Sequence, residues 1–473
     1  MLASISKLPR AALPIPERCR HLLHTLSADI KSDISSNGSW GPFGKGGRIS
    51  GSVAAGWEDV RDAFESNFRN NLELGAQLVV YKDGTPVVDL HGYSDAMEGL
   101  GYNADTLQNV FSSGKNMEAV ACMVLVDRSL LKYNDRISSH WKSFGQHGKE
   151  DIRVEEVLRH ESGLQFFANP AFPDDFSKNF VPSVADVSAT ENGAVERVIE
   201  GCTPWGRGQR MYHASTRGFI IGGLVRQITG QTLGEFLRSE VTEPLGISLF
   251  CGTPRDEQAR HRYADMRKAG TSHTLRAIIP AMLGMGGDPQ AWSFVKKLVA
   301  AVRDSKHPLR GYPKAIPLEW AKDDVKHVNT VEGRTLEVSS GAMQGNARAL
   351  AKVSALLANG GKIDGVRIVS EETVRLAMSD AKVLRDDVWG MTMAFSRGGF
   401  ADFGSMTELS GVPCDNLAQL QRGFIGWAGK GGSLFLWDVE RNIGFAYVMN
   451  GMDLGLVGGP RAKSLFAALS RKR

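Results

Sequence analysis

The order of predicted strands and helices indicates an α/β fold of the α+β type, with one sheet built from both ends of the chain. A β-hairpin is predicted over Ala76–Gly92. Two more strands are predicted near the C-terminus, at Gly432–Trp437 and Ile443–Met449. The region between them, about 116–345, has mainly helical spacing of its apolar residues. Strands at both ends with helices between them predict a single sheet and an inserted helical region.

The hairpin is predicted from two β-rich runs that flank the dipeptide Asp83-Gly84. A two-residue hairpin turn needs positive φ angles, which Asp and especially Gly adopt more readily than other residues. The flanking runs are rich in valine, which favours strands. A tight turn is therefore expected at this dipeptide.

Helices are predicted where apolar residues recur every three to four positions. In Trp57–Leu74, one face carries Val60, Phe64 and Phe68, and charged residues cover the other faces. A second helix is predicted from Ser112 to Leu131, with a nearly continuous apolar face. Four more helices are predicted at Arg217–Thr229, Leu233–Val241, Ala347–Asn359 and Pro460–Ser470.

Residues 1–50 are predicted to precede the folded domain, which would span 51–473. The stretch from Met1 to Ala28 contains four Lys or Arg residues and a single acid, a composition typical of an organellar transit peptide. A plain disordered leader explains it equally well. Ser35–Gly51 is rich in Gly and Ser and is interpreted as a linker. A mitochondrial location follows from the first interpretation and a cytoplasmic location from the second.

Composition argues against several classes of function. The formal net charge is +4, from 56 Lys+Arg and 52 Asp+Glu, and there is no long basic block, so no nucleic-acid partner is expected. No apolar run reaches the roughly 20 residues of a membrane span. The five cysteines are widely spaced without a Cys-x-x-Cys pair, so neither a zinc site nor a disulfide framework is expected. No nucleotide-binding glycine loop, zinc-protease motif or Gly-x-Ser-x-Gly elbow is present, and neither a cofactor nor a metal is predicted.

The first candidate for chemistry is the pair Ser112 and Lys115. Residues three apart share a helix face, so this lysine can stabilise the serine oxyanion or, when neutral, accept its proton. Ser-x-x-Lys is a weak motif, and its other copies begin at Ser4, Ser129, Ser139, Ser293 and Ser379. Only the copy at Ser112 opens a long apolar helix that could be buried, and the others are interpreted as solvated surface pairs.

The second candidate is Tyr212, between a Gly-rich turn and an apolar helix. A tyrosine at such a junction can project its hydroxyl into a cleft and, next to a lysine, act as a general base. Taken alone, it is better explained as a packed core residue.

The third candidate is the Gly-rich segment Gly426–Ser433, at the start of a predicted strand. Small residues there would let a substrate lie against the strand edge, and a backbone amide could contribute to an oxyanion hole. The alternative is a Gly-rich bulge in an edge strand.

Together the three motifs resemble those of the β-lactamase-related serine hydrolases, which include class C β-lactamases, D-alanyl-D-alanine carboxypeptidases and related esterases. The resemblance extends from about Gly51 to the C-terminus and includes Val154–Leu164 and Gly444–Met452. It implies a β-lactamase/transpeptidase-like fold, in which helices flank an antiparallel sheet.

The resemblance also implies a role for each motif. Ser112 matches the family's nucleophile, and Lys115 matches the lysine that tunes it. Tyr212 matches the tyrosine of a Tyr-x-Asn element. The family's strand motif falls on Trp427 to Gly429, and the amide of the next residue, Lys430, would share the oxyanion hole with that of Ser112.

Two positions differ from the β-lactamase pattern. Ala214 stands where Asn is usual, and Trp427 stands where Lys or His is usual. Both changes remove polar contacts to a β-lactam or a peptide carboxylate, and they look more like the esterase branch. The expected activity is therefore hydrolysis of a small-molecule carboxylic ester through an acyl-enzyme on Ser112, with acyl transfer to another acceptor as a variant.

Two alternatives stay open. The chain could act on β-lactams or D-Ala-D-Ala peptides, or it could be a weakly active or non-catalytic scaffolding protein of the same fold. The complete set of Ser, Lys and Tyr argues against full loss of activity. Two proline-rich loops, Ala168–Ser183 and Lys306–Pro317, are expected to shape the pocket. A homo-oligomer is compatible with each interpretation.

Overall fold

The computed structural model describes residues 46–167, 183–188, 193–268, 296, 316–317, 319–409, 412–453, 457 and 459–472. The leader predicted over residues 1–50 lies outside these residues up to position 45. Most of the two loops predicted at Ala168–Ser183 and Lys306–Pro317 also lies outside them. Within the described residues, no helix is long and apolar enough to cross a membrane.

Eighteen strands are present in the described part of the chain. They are β1 (Arg48–Val53), β2 (Gly75–Lys82), β3 (Thr85–Tyr93), β4 (Gln108–Asn109), β5 (Leu249–Phe250), β6 (Arg267–Lys268), β7 (Gln344–Gly345), β8 (Lys362–Ile363), β9 (Val366–Arg367), β10 (Lys382–Asp386), β11 (Met391–Phe395), β12 (Ala401–Asp402), β13 (Glu408–Leu409), β14 (Val412–Pro413), β15 (Ile425–Ala428), β16 (Leu434–Asp438), β17 (Ile443–Met449) and β18 (Gly451–Met452).

One antiparallel sheet of eleven strands dominates the fold, in the order β1-β3-β2-β17-β16-β15-β12-β11-β13-β14, with β10 paired to β11. The two chain ends meet at its centre, where β2 pairs with β17 from Lys82 opposite Ile443 to Ala76 opposite Met449. The strands β4 to β9, which lie between β3 and β10 in the sequence, belong only to small separate sheets. This arrangement confirms a sheet built from both ends of the chain around an inserted, mainly helical region.

The predicted hairpin is present, with β2 and β3 joined at Asp83-Gly84. The φ angles of these two residues are 50° and 76°, as a two-residue turn between twisted strands requires. The first strand, β1, begins inside the segment interpreted as a linker. It can pair closely with β3 because residue 51 is a glycine. Any Cβ at this position would lie 2.0 Å from the carbonyl oxygen of Asp89.

The helices surround this sheet and fill the inserted region. They are α1 (Glu58–Arg69), α2 (Lys115–Asp127), α3 (Ile137–His140), α4 (Val154–Leu158), α5 (Val184–Ser188), α6 (Ala194–Gly201), α7 (Thr216–Thr229), α8 (Leu233–Leu237), α9 (Glu243–Leu245), α10 (Arg255–Gln258), α11 (Trp320–Val328), α12 (Val331–Thr335), α13 (Ala347–Ala358), α14 (Glu371–Met378), α15 (Asp415–Leu420) and α16 (Gly459–Leu469).

Helices cover both faces of the sheet at β17. Successive strand residues point to opposite faces. Gly444 faces α13 so closely that a Cβ would lie 2.5 Å from the amide nitrogen of Ala355. The next residue, Phe445, faces α16, where its ring lies 5.2 Å from that of Phe466. The sheet is therefore buried on both sides, which explains why every residue of β17 is buried.

Three predicted boundaries differ from the structure. The helix predicted over Trp57–Leu74 ends at Arg69, although Val60, Phe64 and Phe68 are buried as expected. The α-helix predicted from Ser112 starts at Lys115, after a 3₁₀ turn over Phe111–Gly114. The helix predicted to reach Val241 is α only to Leu237 and continues as a π-helical turn.

The Gly-rich segment also lies differently from the prediction. Its first residues form the end of β15, and Gly429–Ser433 form the turn that leads into β16. The glycines at 431 and 432 have φ angles of 88° and 119°, so they are needed to reverse the chain.

Candidate active site

Ser112 lies in a strained turn at the N-terminal end of α2. The preceding residue, Phe111, has a φ of 45°, which is rare for a bulky side chain and costs free energy unless the surroundings impose it. Its amide donates a 2.8 Å hydrogen bond to the Asn109 side chain. Ser112 is partly exposed, whereas Phe111, Ser113 and Lys115 are buried. The turn therefore presents one hydroxyl at the surface of an otherwise buried helix start.

Lys115, one helical turn after Ser112, is fully buried. Its ammonium group donates a 2.6 Å hydrogen bond to the carbonyl oxygen of Ala214 and lies 4.8 Å from the ring centroid of Tyr212. Burial lowers the pKa of Lys115 to about 7, with Glu118 raising this pKa and Arg217 lowering it to smaller extents. A lysine in this setting can lose and regain a proton near neutral pH.

Tyr212 joins the other two residues. Its hydroxyl lies 2.5 Å from Ser112 Oγ, within hydrogen-bonding distance. Its ring packs against two tryptophans, Trp389 at 6.1 Å and Trp427 at 6.2 Å between centroids. The structure thus brings together the three residues that the motifs singled out, although Ser112 and Tyr212 are far apart in the sequence.

Trp427 forms part of the buried wall behind these residues. Its side chain is 5% exposed, and its indole N–H donates a 2.9 Å hydrogen bond to the carbonyl oxygen of Gly399. Its ring lies 5.9 Å from Lys115 Nζ. In this position the indole packs behind the lysine and the tyrosine and restricts their side chains.

Gly429 lies where β15 turns away from the start of α2. A Cβ at this position would lie 2.2 Å from both the Val110 carbonyl oxygen and Ser433 Oγ, so only glycine fits. The next residue, Lys430, directs its ammonium group to the Asp324 carboxylate at 2.6 Å. Among the described residues, the Lys430 amide has no hydrogen-bond acceptor, so it is available to a bound group.

A pair of buried serines, to which the sequence analysis assigned no role, holds this turn against the start of α2. Ser433 Oγ donates a 2.8 Å hydrogen bond to the Val110 carbonyl oxygen and lies 3.0 Å from Ser113 Oγ. Both side chains are at most 1% exposed. They fix the distance between the Ser112 turn and the Lys430 turn.

His160 is buried and contacts the loop of Tyr212. Its Nδ1 accepts a 3.0 Å hydrogen bond from the His213 amide, and its ring lies 5.1 Å from that of Tyr212. Burial lowers the pKa of His160 well below its usual value, so the ring is neutral at neutral pH. Its contacts place it behind Tyr212, away from the Ser112 hydroxyl.

Ser112 lines an open cavity in the described part of the chain. Most of its walls are apolar, with a charged pair at one side. The residues lining it include Phe111, Ala214, Ile316, Trp320, Val338, Asp324 and Lys430. Such a cavity favours an uncharged, largely apolar substrate.

No group of three or more His, Cys, Asp or Glu side chains in the described residues is arranged to hold a metal ion. The four described cysteines are buried free thiols.

Relatives of known structure and function support the same fold. The esterase/beta-lactamase LipL of Mycobacterium tuberculosis is 29% identical over 441 residues, which cover 90% of this chain and 91% of LipL. A crystal structure of a family VIII carboxylesterase is 28% identical with a TM-score of 0.70, and it covers 90% of this chain and 100% of its own. A penicillin-binding-protein homologue from Caulobacter crescentus is 26% identical with a TM-score of 0.67, covering 90% of this chain and 100% of its own.

These similarities support a hydrolase, and they confirm the β-lactamase/transpeptidase-like fold expected from the sequence. The profile of the family described as Beta-lactamase matches residues 64–468. That range includes both halves of the central sheet and all three motifs. The chain therefore belongs to the Beta-lactamase family.

Proposed function

We propose that this protein is a serine hydrolase that cleaves carboxylic esters through an acyl-enzyme on Ser112. The observation that carries the proposal is the 2.5 Å separation between Ser112 Oγ and Tyr212 Oη, with the buried amine of Lys115 next to the tyrosine ring. A nucleophile within hydrogen-bonding distance of a base, which is itself held by a third group, is the arrangement needed for acyl transfer.

In the first half of the reaction, Ser112 Oγ attacks the ester carbonyl carbon. Its proton passes to Tyr212 as the hydroxyl proton of Tyr212 passes to neutral Lys115. The developing oxyanion accepts hydrogen bonds from the amides of Ser112 and Lys430, each worth roughly 3–4 kcal/mol in comparable sites. The tetrahedral intermediate then collapses, the C–O bond breaks, and the proton held by Tyr212 moves to the leaving alcohol.

In the second half, a water molecule takes the place of the alcohol. Tyr212 accepts a proton from this water as it attacks the acyl carbon. The Ser112–acyl bond breaks, the carboxylic acid leaves, and the proton returns to Ser112 Oγ. Each half uses the same base and the same amides, so one site accounts for both steps.

An ester is favoured over a β-lactam or a peptide by the groups that surround Ser112. Ala214 offers no side-chain amide to a substrate, and Trp427 is buried with its N–H bonded to Gly399. The cavity walls add Phe111 and Val338, which offer only apolar surface. These contacts suit an uncharged acyl group. Similarity to the esterase/beta-lactamase LipL and to a family VIII carboxylesterase supports ester hydrolysis.

The test is hydrolysis of a short-chain p-nitrophenyl ester by the protein and by Ser112→Ala. The variant should lose at least about a thousandfold in kcat, because the covalent pathway is removed. Ser139→Ala is the matched control, since Ser139 begins another Ser-x-x-Lys copy and is exposed; it should keep full activity. Equal turnover by the protein and Ser112→Ala would reject the proposal.

Turnover of a chromogenic cephalosporin should be measured alongside. A rate close to the ester rate would assign the site to β-lactams instead. No turnover of either compound, with an assembled particle on a sizing column, would favour a scaffolding protein of the same fold.

A further inference from the structure

A buried ion pair lies on the inner side of the candidate active site. Glu118 follows Lys115 by one helical turn in α2, and Arg217 lies in the first turn of α7. Arg217 Nε is 3.0 Å from Glu118 Oε2, and both side chains are fully buried. A buried ion pair is weak support for stability, because desolvation of both charges opposes their attraction. Its position beside the site suggests another role.

Both members of the pair contact the catalytic machinery. Arg217 donates a 3.1 Å hydrogen bond to the carbonyl oxygen of Lys115 and lies 5.2 Å from the ring of Trp427. Glu118 Oε1 accepts hydrogen bonds from Ser339 at 2.7 Å and Ser340 at 2.5 Å. The pair therefore binds the main chain at the lysine and a segment at the cavity wall.

That segment lies next to the proposed nucleophile. The carbonyl oxygen of Ser340 is 3.5 Å from Ser112 Oγ, and Ser340 lines the cavity. A carboxylate that holds the Ser340 hydroxyl thus also holds the carbonyl group facing Ser112. Glu118 influences both the serine and the lysine of the site without reaching the substrate.

Two histidines close to Lys115 are uncharged near neutral pH. Burial lowers the pKa of His213 to about 3, and the pKa of His160 is also well below its usual value. Tyr212 presents its ring to the lysine. Among the described residues, the charged groups that shift the pKa of Lys115 are Glu118, from its own helix, and Arg217, from α7.

We propose that Glu118 and Arg217 are positioning residues that set the charge of Lys115, and with it the pH range of the reaction. This inference rests on the proposed function for its kinetic test. When both are charged, they cancel, and the desolvated lysine can lose its proton near neutral pH. Removing Glu118 leaves the Arg217 cation uncompensated and favours neutral lysine, whereas removing Arg217 leaves an anion and favours charged lysine.

The test compares the pH dependence of kcat/KM for Glu118→Gln, Arg217→Gln and the double variant. The acid limb should move to lower pH in the first and to higher pH in the second, each by about one unit or more. Well below the midpoint, a shift of one unit changes the rate about tenfold. The double variant should return close to the midpoint of the unmodified protein. Shifts in the same direction in both single variants would overturn the inference.

A second measurement needs no turnover. The lysine pKa is lowered in the folded state, so its contribution makes the protein more stable as pH rises from about 7 toward the unfolded value of 10.5. Comparing denaturant unfolding with and without Lys115→Met, in each background, gives the pH at which this rise begins. That pH should be lower in the Glu118→Gln background and higher in the Arg217→Gln background than in the unmodified protein. An unchanged pH in both backgrounds would reject the inference even if no ester is hydrolysed.

Glu196→Gln is the matched control. It breaks another ion pair of α7, in which Arg226 Nη2 lies 2.7 Å from Glu196 Oε1 on the side of the helix near α6. The midpoint of the acid limb should stay in place, even if the protein becomes less stable. An equal shift in this control would show that loss of any ion pair on α7 moves the profile, and the assignment to Lys115 would fail. If Ser112→Ala keeps full activity, the proposed function fails, and the unfolding measurement alone decides this inference.

Discussion

Replacing Tyr212 by phenylalanine should remove most ester turnover while the protein stays folded. The substitution deletes the hydroxyl that lies 2.5 Å from Ser112 Oγ and keeps the ring. The ring contacts with Trp389, Trp427 and His160 are all retained. The change therefore separates the proton path from the packing of the site.

The size of the loss follows from the role of the hydroxyl. Positioned general bases contribute about 10² to 10⁴-fold, which corresponds to roughly 3–5 kcal/mol of the activation barrier. The free energy of unfolding should fall by only about 1 kcal/mol, the net value of one neutral hydrogen bond. Steady-state kcat/KM for a short-chain p-nitrophenyl ester and denaturant unfolding measure the two quantities separately.

Tyr133→Phe provides the comparison. Tyr133 is 3% exposed, and its hydroxyl has no hydrogen-bond partner among the described residues, so its removal should change neither turnover nor stability appreciably. If Tyr212→Phe retains kcat/KM within about threefold of the unmodified protein, the tyrosine is not the base and the proton must leave Ser112 by another route. A large loss of stability in Tyr212→Phe would instead show that the hydroxyl is mainly structural.

Alanine at Gly429 should lower kcat/KM by about a hundredfold or more, the value of one oxyanion donor, because its Cβ would displace the turn that positions the next amide. Gly222→Ala in α7, where a Cβ meets only Leu233 at 3.7 Å, should leave kcat/KM unchanged and raise stability by up to about 1 kcal/mol. In the unmodified protein, kcat/KM should rise with pH through about 7, since neutral Lys115 is the form that assists proton transfer; a flat profile around neutral pH would contradict this. Gly84→Ala, at a φ of 76°, should lower the unfolding free energy by about 1 kcal/mol without changing kcat/KM.

Turns and helices that depend mainly on residues close together in the sequence could be predicted from it. The turn at Asp83-Gly84 was predictable because positive φ angles restrict the residue type, and α1 because Val60, Phe64 and Phe68 recur on one face. Two-residue strands such as β12 and β13 have no such signal, since they exist only through pairing with distant neighbours. The start of β1 was missed for a related reason. Its glycines suggest a linker unless its pairing with β3 is known.

In the candidate site, too, the residues marked by local motifs could be predicted, whereas contacts between distant helices could not. Ser112 and Lys115 could be selected from the sequence because they open an apolar helix, whereas Tyr212 was selected only through the family resemblance. Glu118 and Arg217 were visible only as charges inside apolar helices, which is an unusual placement that the motifs did not use. That they pair with each other is a property of how α2 crosses α7. Sequence periodicity gives the face of a helix but not its partner.

The support of Ser112 explains why its site combines parts of the chain that are distant in sequence. The turn before it is strained at Phe111, and such strain persists only when neighbouring groups impose it. Those groups are Asn109, Met343, whose carbonyl oxygen accepts a 3.0 Å hydrogen bond from the Val110 amide, and Ser433, which bonds the Val110 carbonyl oxygen. Asn109 lies just before the turn, Met343 lies at the end of the helical insertion, and Ser433 lies just before β16 in the C-terminal part of the chain. Ser112 is therefore held in place only when the sheet and the insertion have both folded, so turnover should be lost before global unfolding whenever either contact loosens.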